Sequence, residues 1–162
     1  LVTFRGRSFD VPVLGLLALR HGLSLTWNTA AHRRRYTEDP HLDLADSLND
    51  FSPNIRDYNL EALSSLIGMN GKNGVKGNSV AAMYAAGELG KIHGYCTADV
   101  ARTSFLLFRY LLMRGRISIE KYRHAAGGLF QHCLDKQLMG VTFGADPKVL
   151  LLPAEAPAVA TA

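Results

Sequence analysis

The sequence predicts an α/β fold, on three observations. Short β-prone apolar runs occur at Leu1-Val2-Thr3-Phe4 and at His41-Leu42-Asp43-Leu44. Between and after them lie segments whose apolar residues recur every three or four positions, the helical period. At 162 residues, 48% of them hydrophobic and 20% charged, the chain suits about one globular domain with a core of its own.

The elements follow in order. Leu1–Phe4 reads as a buried strand. A domain opening on a core strand, without a leading methionine, is expected to be a fragment lacking its N-terminal part. Arg5-Gly6-Arg7-Ser8 is a basic turn. Asp10 suits a helix N-cap and Pro12 a first helical turn, and Gly22 suits the residue that ends that helix. The segment from Leu23 to Pro40 is irregular and carries Trp27 and the run His32-Arg33-Arg34-Arg35-Tyr36. That run reads either as a solvated loop or as a phosphate grip with an aromatic for stacking. Asp43 and Asp46 read as a strand end and a helix cap, or as ligands.

Asn59 to Ile67 is an amphipathic helix with Leu60, Leu63, Leu66 and Ile67 facing inward. Gly71 to Gly77 is a basic loop around Lys72 without Walker A spacing. Ser79 to Ala86 and Glu88 to His93 are short helical pieces. From Gly94 to Gly115 runs the central helix, with Cys96, Val100, Thr103, Leu107 and Leu111 as its core stripe. Ser118 caps a last helix reaching Leu134. After Gly140 the periodicity decays, so residues 1–140 form the domain and 141–162 a flexible Ala/Pro-rich tail.

On the central helix Tyr95 and Asp99 stand one turn apart on one face. Such a pair is common on solvated faces. It is also what a site needs that holds a metal and orients a water. Asp10, at a strand-to-helix corner, offers a second hard oxygen ligand of the kind Mg²⁺ or Mn²⁺ takes. Zinc at His93-x-x-Cys96 with His132-Cys133 is poorly spaced. A serine hydrolase elbow, Gly-x-Ser-x-Gly, does not occur. Two cysteines make no disulfide framework and suit the cytoplasm. The formal charge of +4 is compatible with a polyanionic partner, and no apolar stretch is long enough to cross a membrane.

Phe9-Asp10 after a strand and Tyr95-x-x-x-Asp99 on a late helix resemble the second and third motifs of the tyrosine-bearing DEDD 3′–5′ exonucleases (DEDDy). The wider text consists of Gly6-Arg7-Ser8-Phe9-Asp10-Val11-Pro12-Val13-Leu14, His41-Leu42-Asp43-Leu44, Gly71-Lys72-x-Gly74-Val75-x-Gly77-x-x-Val80, Tyr95-Cys96-x-x-Asp99-Val100 and Leu112-x-Arg114-Gly115. These blocks resemble the predicted bacterial 3′–5′ exonucleases related to the proofreading domain of family B DNA polymerases.

The resemblance spans Leu1 to Tyr122. It implies a ribonuclease H-like fold, incomplete here, and two Mg²⁺ or Mn²⁺ ions in the complete domain. It implies hydrolysis of the terminal phosphodiester at a DNA 3′ end. Asp10 would help hold the more weakly bound ion through water, Asp99 would ligate the other, and Tyr95 would orient the attacking water. Arg5, Arg7 and Lys72 would contact nucleic acid. Three departures stand out. No Asp-x-Glu occurs in the chain, Arg5 replaces the family's usual Asn, and Ala98 replaces an acidic residue. A chain with two of the carboxylates is expected to be weakly active or inactive alone. The alternative is a degenerate exonuclease fold that binds nucleic acid without cutting it.

Overall fold

The computed structural model describes residues 1–26, 36–51, 59–70 and 79–153. The arginine run at 33–35, the loop containing Lys72 and the end of the chain from Ala154 lie outside the described residues. The chain folds as two compact units, residues 1–58 and 59–162. The described elements are mostly helical, with one small parallel sheet.

The first unit holds β1 (Val2–Thr3), α1 (Asp10–His21), β2 (Leu42–Asp43) and α2 (Leu44–Leu48). The strands run parallel with Val2 opposite Leu42 and Thr3 opposite Asp43. The expected burial of the first strand is not found, since Leu1 is 55% and Val2 40% exposed. The buried positions are instead His41, Leu42, Asp43 and Leu44.

Asp43 organises this unit. Its carboxylate accepts from the backbone N–H groups of Arg5 and Arg7, each at 2.9 Å, and of Ala45 at 3.1 Å. The Thr3 hydroxyl donates to it at 3.3 Å. Thr3 Oγ1 also lies 2.8 Å from His41 Nε2. One hydroxyl carries one hydrogen, so His41 is the donor in that second bond. The carboxylate thus closes the turn after β1 and caps α2. Gly6 within that turn leaves no room for a side chain, because a Cβ there would lie 2.5 Å from Thr3 Cβ.

The helix α1 starts one residue earlier in its logic than expected. Phe9 takes the N-cap position without a side-chain cap, and Asp10 is the first helical residue. Gly22 ends it at φ 64°, as its position after His21 suggests.

The second unit holds α3 (Leu60–Leu66), α4 (Val80–Ala85), α5 (Leu89–Met113), α6 (Ile119–Asp135) and α7 (Pro147–Leu151). Asn59 and Ser118 cap α3 and α6 through their side chains. The inward face of α3 is Leu60, Leu63, Ser64 and Ile67, while Leu66 is 76% exposed. Positions 60, 63, 64 and 67 are the true helical face, and Leu66 falls on the opposite side. Ser64 tolerates burial because its hydroxyl donates to the Leu60 carbonyl at 2.5 Å.

The pieces expected at 88–93 and 94–115 are one continuous helix, α5. Its core stripe is Gly94, Ala98, Ala101, Phe105, Leu106 and Tyr110, not the stripe through Cys96 and Val100. Cys96 is exposed and Val100 is 66% exposed. Small residues mislead a hydrophobicity count, because close packing rather than bulk selects them. A Cβ on Gly94 would lie 2.8 Å from Met139, and one on Gly140 would lie 2.5 Å from the Gly94 carbonyl oxygen.

Residues 141–153, expected as the start of a flexible tail, are folded. Met69 and Phe143 form an antiparallel bridge. The Phe143 ring meets Phe105 edge-on at 5.9 Å and Phe130 at 4.4 Å. Asp146 caps α7 and Leu150 is fully buried. A five-residue helix has too few residues to show periodicity, which is why the sequence pattern fades there.

Candidate active site

The site is built on α5. Its buried stripe through Gly94, Ala98, Ala101 and Phe105 anchors the helix, and Tyr95 and Asp99 lie beside that stripe at intermediate exposure. The two side chains are therefore carried at the border between core and solvent, although the core lies on a different flank from the one expected.

Tyr95 and Asp99 are brought together. The Asp99 carboxylate one turn on is close enough for its charge to act on the phenol. Burial raises the phenol above its ordinary value of 10.0, and the nearby Asp99 charge pushes the same way. Tyr95 is therefore a neutral hydroxyl at neutral pH, able to donate but not to act as a phenolate. A protonated phenol beside a carboxylate offers one donor and several acceptor sites, a pair suited to fixing a water molecule.

A third member was not expected. Arg102 Nη1 donates to Asp99 Oδ1 at 3.1 Å. The Arg102 side chain is 8% exposed and that of Asp99 37%. The spacing Asp99-Val100-Ala101-Arg102 was a legible signal, since residues three apart meet on a helix.

Asp10 belongs to the first unit. It is exposed, in the first turn of α1. Arg5 is exposed in the preceding turn. Arg7 is not a solvent-facing phosphate contact. Its guanidinium donates to the carbonyls of Thr37, at 2.9 Å, and His41, and lies 3.6 Å from Asp46. Asp46 is thereby engaged within the unit, and Asp43 is wholly occupied by donors of its own chain. Lys72 lies outside the described residues.

Divalent-ion binding can be tested on this donor set. Asp99 supplies hard oxygen, but a fixed guanidinium already neutralises it and opposes a second cation. Among the described residues no group of three His, Cys, Asp or Glu side chains comes together. The described residues therefore do not fit a two-ion site by themselves.

The family model described as "Predicted 3'-5' exonuclease related to the exonuclease domain of PolB" matches residues 1–138. No curated protein and no solved structure matches the chain. The matched span contains Phe9-Asp10 and the whole of α5 with its Tyr95–Asp99 pair. The chain belongs to the family of predicted 3′–5′ exonucleases related to the PolB exonuclease domain.

Proposed function

We propose that this chain carries part of a metal-dependent 3′–5′ exonuclease of ribonuclease H-like fold that removes nucleotides from a DNA 3′ end in the cytoplasm. Asp10 and Asp99 are its carboxylates for the reaction and Tyr95 its water-positioning hydroxyl. The observation that carries this reading is the Tyr95–Asp99 pair, one turn apart on one face of α5 at the border of its buried stripe, inside the span that matches the family. Mg²⁺ or Mn²⁺ is the cofactor it implies. Two carboxylates do not balance two divalent ions, and such chemistry takes three or four. The chain by itself is therefore expected to digest DNA weakly or not at all. Arg5 and Lys72 are the proposed contacts to the substrate phosphates.

The test is release of mononucleotides from a 3′-labelled DNA strand in Mg²⁺ and in EDTA. It compares the chain, a version supplemented with an Asp-x-Glu strand, and that version with Asp99→Ala. The supplemented version is expected to release mononucleotides only with Mg²⁺, and Asp99→Ala to abolish release. No Mg²⁺-dependent digestion by the supplemented version overturns the reading. A labelled RNA strand run in parallel assigns the sugar.

A second reading, nucleic-acid binding without cleavage, is favoured by the neutralised state of Asp99 beside Arg102. Salt-sensitive DNA binding that survives both EDTA and Asp99→Ala, with no digestion, would select it.

A further inference from the structure

We propose that the outer face of α1 is a dimerisation surface on which a second copy of this chain docks antiparallel. The inference does not rest on the exonuclease reading.

Side chains about 100° apart around a helix divide α1 into two faces. Val11, Gly15 and Ala18 fall together and form its more covered side, with Ala18 buried. On the opposite side Val13, Leu16, Leu17 and Arg20 follow the N-cap residue Phe9 at helical spacing, and all five are exposed. Phe9 and Leu16 each leave 67% of their surface in water. Leu14 and Leu19 extend the apolar surface to either flank. Among the described residues no other helix or strand packs extensively against α1. A helix apolar on nearly all sides is ordinarily enclosed by protein. The lysine-rich polar face of a helix that lies on lipid does not occur in α1, which contains no lysine.

Size and charge select the occupant. The exposed apolar side chains of α1 present about 600 Å² per copy, so two such faces bury about 1,200 Å², the lower bound of a specific interface. A dissociation constant on the order of 10 μM is expected for a pair of that size. The helix carries Asp10 in its first turn and Arg20 and His21 in its last. Parallel docking would set like charges and like dipole ends side by side. Antiparallel docking sets Arg20 of each copy beside Phe9 and Asp10 of the other, with Val13 facing Leu16 and Leu17 between the two ends. One self-complementary patch then serves both copies, as a two-fold axis requires.

The experiment is sedimentation velocity of the full chain from about 1 to about 200 μM, a range that brackets the expected constant. Circular dichroism checks the fold of each variant. Wild type is expected to pass from monomer to dimer without larger species. Leu16→Asp should remain monomeric throughout, and Leu16→Gln replaces it if that variant does not fold. Arg20→Asp brings like charges together and should weaken the dimer about tenfold, while Asp10→Arg/Arg20→Asp should restore it. A wild-type monomer at the highest concentration overturns the proposal, as does a dimer that Leu16→Asp leaves intact. A double swap that recovers nothing lost in Arg20→Asp overturns it too. A monomer that instead sediments with phosphatidylserine vesicles overturns it in favour of a lipid surface.

Discussion

Arg5 adopts φ 61°, a left-handed conformation that costs a residue with a Cβ about 1 kcal/mol or more. It is accepted because the Arg5 N–H must reach the Asp43 carboxylate. Asn tolerates that region through its short polar side chain. Arg5→Asn is therefore expected to stabilise the first unit by about 1 kcal/mol, read by urea denaturation, while weakening any salt-sensitive DNA binding. Opposite directions in the two measurements separate backbone strain from phosphate contact. Asp43 gives the converse case. Asp43→Ala leaves two or more buried donors without an acceptor and is expected to destabilise by about 3 kcal/mol. An acid on a strand end reads as a ligand or as a cap, and the four donors converging on Asp43 settle it as structural.

Helix α7 is held by cations at its C-terminal carbonyls. Arg109 Nη2 donates to the carbonyls of Val149 at 2.7 Å and Leu150 at 3.2 Å. Its guanidinium also lies 5.0 Å over the Tyr122 ring, whose hydroxyl donates to Leu150. Arg123 reaches the carbonyls of Leu152 at 2.5 Å and Pro153 at 3.3 Å. These groups satisfy the orphan acceptors of a helix end and complement its dipole. Arg109→Met keeps the stem over the ring and removes the donors. It should cost about 2 kcal/mol and speed proteolysis within residues 141–153, leaving the first unit untouched. Equal cleavage rates in wild type and variant would count against the latch. The two thiols report on α5 and α6 in the same way. Cys96 is exposed and Cys133 buried, with its thiol pushed up by burial. A disulfide reagent is expected to label one thiol in the native protein and both in guanidinium.

At the scale of the whole molecule, alkaline pH is the sensitive direction. Burial raises the Cys133 thiol above its ordinary 9.0, and the Tyr95 and Tyr122 phenols above 10.0. Folded protein therefore holds these protons after the unfolded chain has begun to release them. Where the unfolded state binds fewer protons, stability falls as pH rises. The stability is fully present below pH 9 and declines from there through the raised folded values. Urea midpoints at pH 8 and above pH 10 check this, and Tyr122→Phe should flatten the decline. Among the described residues no helix is long and apolar enough to cross a membrane.

The sequence by itself determined the caps, the turns and the local pairings. Asn59, Ser118 and Gly22 end helices because short-range hydrogen bonds and φ preferences act within a few residues. The meeting of Tyr95 and Asp99 is equally local, fixed by the helical period. Tertiary structure decided which face of each helix is inside. Gly94 and Ala98 displaced Cys96 and Val100 from the core because Met139 and Gly140 approach too closely for bulk, and Ser64 displaced Leu66. It also decided the fate of charges: Arg7 turned inward to carbonyls and Asp46, and Arg102 was buried against Asp99. Those outcomes depend on partners distant in the chain or on how deeply a helix sinks, and neither is written in a short window of residues.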